Sequence, residues 1–203
     1  RRLGRVAWKI APQMRALLAQ IAFGQPVLVL QNRAFAFAPL WHYAVAVGFD
    51  LERQEIVLRS GETEREIMSF DVFERTWLRA DGWAVIIGRP DAVPDFVTLP
   101  QAMNQALAFE RARQSASAKT LYQAIVARWP DHDPARFGLA NMSYATGEGE
   151  AAERLWRQLI NAPQSSLPVF YNLAQYLLEN SRFTEARELI KTARMRWPND
   201  QRL

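Results

Sequence analysis

The sequence contains no cysteine. Disulfides, thiolate metal sites and a cysteine nucleophile are therefore excluded within these residues. Histidine is nearly as scarce. The two present, His42 and His132, are far apart in the chain, which argues against a histidine-built metal site. No uninterrupted apolar stretch approaches the roughly 20 residues that cross a bilayer. No secretory leader is legible, and the chain opens on Arg1, Arg2, Leu3, Gly4 and Arg5 rather than methionine. The expectation is a piece of a longer or processed protein, with any membrane anchoring confined to a preceding segment. An excess of one charge is also missing. There are 25 basic and 21 acidic residues, and no basic run carries the interleaved aromatics of a nucleic-acid surface. Neither nucleic acid, metal nor cofactor is expected.

What remains is ordinary globular material, 49% hydrophobic and 23% charged over 203 residues, enough for two modest domains or one large one. Residues 11–22 repeat Met14, Leu17, Leu18 and Ile21 at helical spacing, with Pro12 suited to the first turn and Gly24 to the end. Val27 to Leu30 reads as a buried central strand. The loop 33–40 carries Phe35 and Phe37, which either cap a core or line a groove. Trp41 to Asp50 is the stretch around which this half is organised. Tyr43, Val45, Val47 and Phe49 alternate with His42, Ala44, Ala46 and Gly48, so His42 starts a strand beside very small neighbours. A core or rim histidine with a hydrogen-bond partner and a functional histidine both fit that setting. Strands follow at 55–59, 66–70 and 83–88. Between the last two lies a short helix, 72–78, capped by Asp71. Such spacing favours an antiparallel sheet with one helix as a thin cover, and a second face covered by something outside this chain. Pro90, Pro94 and Pro100 mark a linker.

The second half repeats every 34 residues. Ala118, Ala152 and Ala186 keep that spacing, as do Ala106, Ala140 and Ala174, and Tyr122, Trp156 and Ile190. The register resembles the tetratricopeptide repeat, in which small residues let two helices touch. Leu139 to Gly147 with Ala152 and Trp156, and Asn172 to Ala174 with Ala186 and Ile190, match best. The first unit is degenerate, with Gln105 where leucine is usual. Stacked helix pairs of this kind bind peptides or partner proteins, or else buttress a neighbouring domain. His132, in Asp131–Pro134, reads as a solvated turn residue.

The first half resembles the C-terminal part of the double-glycine-type, bacteriocin-processing cysteine peptidases, a papain-like group. The residues that carry the likeness are Gly24–Leu30, Trp41–Asp50 and Glu55–Gly61. The resemblance implies that His42 is the general base that takes a thiol proton, and that Ser60 stands at the third catalytic position, where the family has aspartate or asparagine. The family's nucleophilic cysteine and oxyanion glutamine precede everything present in this sequence. Gln31 and Asn32 end the strand before His42 and, with Trp41, are candidate substrate contacts; a polar strand end that caps loop backbone is the alternative. Asp50 is the nearest acid in sequence, but about eight residues at roughly 3.3 Å each put it about 25 Å from His42.

The expected architecture is α+β: a partial papain-like antiparallel sheet over 1–92, a linker over 93–98, and an all-α tetratricopeptide solenoid over 99–203, in units 99–132, 133–166 and 167–203. The expected function is that of a fragment of a bacterial papain-like cysteine peptidase with a protein-interaction module, its partner a peptide or protein. The alternative is a catalytically inactive, peptide- or partner-binding scaffold. The resemblance points to a lipoprotein-type or exported branch, in the cell envelope or periplasm of a Gram-negative bacterium.

Overall fold

A computed structural model describes residues 4–200, so the basic start at Arg1–Leu3 and residues 201–203 of the third repeat lie outside it. The chain divides into two compact units, Arg5–Arg89 and Pro90 onward, with Gly4 grouped with the second.

The first unit is a six-stranded sheet with two helices. In chain order it runs β1 (Val6–Lys9), α1 (Met14–Ala22), β2 (Val27–Asn32), β3 (Trp41–Asp50), β4 (Glu55–Ser60), β5 (Thr63–Ser69), α2 (Phe70–Leu78) and β6 (Ala84–Gly88). The sheet order is β1-β6-β2-β3-β4-β5, every neighbour antiparallel. Partners directly opposite one another share a sheet face. Val27, Val29, Ala44, Ala46, Ile56 and Leu58 lie on one face, all essentially inaccessible. The helix α1 packs on β2 and β3, and α2 on β2, β4 and β5. On the opposite face Tyr43 stands 58% exposed, with its ring edge-on to Trp83 at 5.7 Å.

Several local expectations are corrected. The strand β1 was not legible, because four residues without a preceding turn signal give too little pattern. A second helix, α2, shares the cover of the sheet with α1. The helix α1 starts at Met14 with Gln13 as its N-cap, so Pro12 precedes it. Ser69, not Asp71, occupies the N-cap position of α2, and Asp71 sits in the first turn, where its carboxylate faces the positive end of the helix dipole. Phe35 and Phe37 stack on each other at 5.3 Å but stay exposed, so they cap no core.

The second unit holds six helices among the described residues: α3 (Leu99–Arg111), α4 (Ser115–Arg128), α5 (Asp133–Ala145), α6 (Gly149–Ile160), α7 (Leu167–Glu179) and α8 (Phe183–Arg196). Starts at 99, 133 and 167, and at 115, 149 and 183, recur every 34 residues. Pro100, Pro134 and Pro168 keep the same spacing, each in a first turn where its missing N–H costs nothing. Pro100 therefore belongs to α3, not to a linker. Successive helices pack on one another from α3 to α8. The repeated alanines Ala106, Ala118, Ala140, Ala152 and Ala186 are fully buried, and Trp156 fills the space they leave between the second and third pairs.

Gly138 shows how close the approach is. A Cβ built there falls 2.3 Å from the ring of Tyr122, itself buried. In an open helix, glycine to alanine stabilises by up to about 1 kcal/mol. Here Gly138→Ala is expected to destabilise by about 1–3 kcal/mol, because the ring has nowhere to go. Urea unfolding followed by circular dichroism measures this; a gain in stability would show that Tyr122 gives way.

Candidate functional site

The polar residues of the first unit gather at one end of its buried face. Gln31 pairs with His42, and Asn32 with Trp41, across β2 and β3. By strand parity Gln31, His42 and Ala44 share a face. Ser60 would pair with Ala44 by continuing the Val45–Arg59 register, so it is the diagonal neighbour of His42. The His42 Nε2 lies 2.6 Å from Ser60 Oγ. Arg33 Nη2 donates to Ser60 Oγ at 3.3 Å and to Glu66 Oε2 at 2.8 Å, and reaches Gln31 Oε1 at 3.4 Å. Gln31, fully buried, donates through Nε2 to Thr76 Oγ1 at 2.8 Å, which ties the cluster to α2. The Arg33 and Glu66 side chains remain about a quarter exposed (26% and 24%), so the cluster sits at a rim.

Bond directions follow from chemistry. Arg33 Nη2 donates to both Ser60 Oγ and the Glu66 carboxylate and so links the two. Ser60 Oγ accepts from a protonated His42 Nε2 or donates to a bare one, according to the tautomer. With the proton of neutral His42 on Nε2, the Nδ1 lone pair is bare. No partner occupies Nδ1 among the described residues. A bare Nδ1 on an imidazole anchored through Nε2 can take a proton from any donor that comes within hydrogen-bond reach of it.

The electrostatics keep the ring neutral. Burial lowers the His42 pKa below its ordinary 6.5, the Arg33 cation lowers it further, and the Glu66 anion opposes this only in part. For Glu66, burial raises the pKa. The hydrogen bonds from Arg33 and Ser60, with the charges of Arg33 and His42, outweigh it and hold the carboxyl below its ordinary value. The Nε of Arg33 is buried without an acceptor, an open donor inside an otherwise connected cluster.

The structure thus brings His42, Ser60 and Gln31 together. Trp41 is half-exposed beside them. Asn32 is buried and turned to the loop: its Oδ1 accepts from Ala34 and Leu40 N–H at 3.1 and 3.0 Å, and its Nδ2 donates to Phe35 O at 3.3 Å. This is the loop-capping arrangement. Asp50 binds the backbone N–H of Glu52 and Arg53 in its own turn, and takes no part. Sequence reasoning missed Glu66, Arg33 and Thr76. The acid of the site lies on β5, beyond the hairpin rather than on the histidine strand.

In the second unit, Asn141 Oδ1 accepts from Trp156 Nε1 at 3.2 Å and from Asn172 Nδ2 at 2.8 Å, which links α5, α6 and α7. Glu153, Arg157, Arg182 and Glu185 form a chain of ion pairs at 2.7–2.8 Å from α6 to α8. His132 is an N-cap, not a free turn residue: its Nδ1 accepts from Ala135 N–H at 3.2 Å.

Titration of His42 tests the electrostatics. Its midpoint is expected below 6.5, and Arg33→Gln is expected to raise it by removing a lowering charge. The folded state holds this proton less tightly than the unfolded chain, so stability rises with pH below about 6.5 and levels off above. Glu66 adds stability at neutral pH that is lost in acid, as pH falls below the ordinary carboxyl range and through its lowered folded value. Ring-proton NMR against pH follows the midpoint; an unchanged value in Arg33→Gln would refute the assigned coupling.

Residues 103–166 match the family model of the tetratricopeptide repeat. No curated protein and no solved structure matches the chain. The second unit therefore contains a tetratricopeptide-type protein-interaction module.

Proposed function

We propose that the first unit is the histidine-bearing half of a papain-like cysteine-peptidase site, and that the repeats bring its peptide or protein partner. The observation that carries this reading is His42, anchored through Nε2 at Ser60, with no partner at Nδ1 among the described residues and the ring neutral. In a thiol peptidase the base must be oriented from one nitrogen and open at the other. Since the sequence has no cysteine, the thiol comes from outside these 203 residues. In this scheme Nδ1 takes the thiol proton, and the resulting imidazolium returns it to the leaving amine. Glu66, held beside the ring by Arg33, supplies at a distance the negative charge that a carboxylate at position 60 would supply directly. Gln31 braces the ring side of the cluster, and exposed Trp41 offers a surface for substrate. Following the same resemblance, the proposed compartment is the bacterial cell envelope.

A second reading has its own support. Arg33 lies against Ser60 and lowers the His42 pKa, which disfavours the imidazolium that a thiolate pair needs. This favours a non-hydrolytic scaffold in which the sheet and the repeats hold a partner.

Alkylation of the intact natural protein separates the two. A peptidase predicts one cysteine that reacts faster with iodoacetamide than a free thiol and slows at least ~10-fold in His42→Ala. Ser60→Ala is expected to cut peptide hydrolysis ~10- to 100-fold, and Ser60→Asp to retain it. Absence of any His42-dependent thiol would leave the scaffold.

A further inference from the structure

Ala34 to Leu40 is the longest run in the sequence without a polar side-chain atom, seven residues, and Trp41 continues it. Loops that face water are ordinarily polar. Here residues 35–41 are all exposed, Phe35 at 66% and Phe37 at 87%. The hydrophobic effect alone would fold such a segment back onto the core.

The loop is held out instead. The carboxamide of buried Asn32 serves only to close it, through Ala34, Phe35 and Leu40. Arg33 N–H donates to Leu40 O at 3.0 Å, and Ala38 N–H to Phe35 O at 3.2 Å. Arg79 Nη1 donates to Ala34 O at 2.9 Å. These bonds satisfy the backbone from within, so the loop presents its stacked rings as a preformed convex knob. Below the knob, Trp41 and Tyr43 stand on one strand face, each more than half exposed.

We propose that the 34–40 tip inserts into the interface of a lipid bilayer and docks the first unit there. Phenylalanines at the tip, Trp41 and Tyr43 below them and the Arg79 cation at the base follow the order in which a bilayer interface accommodates side chains: acyl boundary, headgroups, phosphates. Internally bonded backbone is what an apolar medium demands. A folded protein partner would be set in register by a polar rim, and this knob offers neither a rim nor a groove. No helix among the described residues is long and apolar enough to cross a membrane, and the contact proposed is peripheral. Arg33 opens the loop and lies against Ser60, and His42 follows Trp41, so docking sets the His42 rim at the membrane surface. The inference stands apart from the peptidase reading.

Flotation of the 203-residue chain with vesicles tests it, using phosphatidylcholine alone and an equal mixture with phosphatidylglycerol. Binding to both is expected, and high salt should leave it in place. Each fully buried phenylalanine ring contributes a factor of roughly 10 or more, so Phe37→Ser is expected to weaken binding ~10-fold and Phe35→Ser with Phe37→Ser at least ~100-fold. Phe37→Leu should retain most of it. Both rings are exposed, so circular dichroism should be unchanged in these variants. Hydroxyl-radical footprinting of the intact natural protein is the second arm. Phe35 and Phe37 should oxidise freely without lipid and be protected by vesicles. Four results would overturn the proposal: no binding to either vesicle, binding that the double serine variant keeps, binding to anionic vesicles alone that salt abolishes, or rings already protected without lipid, which would give the loop to another segment of the protein. None of these outcomes bears on thiol reactivity at His42.

Discussion

Two inserted residues decide which side chains of the sheet can meet. Between β3 and β4 the register runs from Gly48–Val57 to Ala46–Leu58, which leaves Val47 as a bulge. Without it, Ser60 would oppose Val45 and face away from His42. Between β4 and β5 the register runs from Ser60–Thr63 to Leu58–Glu66, with one extra residue in β5. Without that one, Glu66 would oppose Val57 and point to the far face. A one-residue slip inverts a strand. Two slips, on either side of β4, bring His42, Ser60 and Glu66 to one end of one face.

The chemistry depends on that convergence. His42 alone at a rim would be an ordinary histidine. Set against Ser60 and flanked by the Arg33–Glu66 pair, it has an anchored Nε2, a lowered pKa and an Nδ1 without a partner among the described residues. The pair is part-exposed and adds little to stability. Its effect is local: Arg33 binds Ser60 and lowers the His42 pKa, and Glu66 opposes that lowering in part. Gln31 and Thr76 hold the arrangement to α2.

Much of the fold was legible in the sequence because its signals are periodic. The alanines at 34-residue spacing announced the repeats, and they are buried where helices touch. The apolar runs of β2, β3 and β6 were visible as strands. The missed elements lack such signals. The strand β1 is four residues long, and Pro100 looked like a linker residue because proline serves loops and first turns alike. At the site, His42 and Ser60 were found through resemblance to a family, while Glu66 was hidden by the bulge. The polar–apolar alternation Glu64, Glu66, Met68 is compatible with either face, and only the extra residue in β5 selects one. Asn32 was visible as a strand-end polar residue, but its choice of the loop depends on the backbone donors of Ala34 and Leu40, which no pattern predicts.

The parity of β4 against its neighbours is open to direct measurement. Cross-strand Hα–Hα contacts in a NOESY spectrum report which residues oppose each other. With both bulges in place, Leu58 is predicted to oppose Ala46 on one side and Glu66 on the other, with a contact between the His42 ring and the Ser60 Hβ protons. Contacts of Leu58 with Val47 and Arg65 instead would remove both bulges, turn Ser60 to the face opposite His42 and Glu66, and contradict the assembled site.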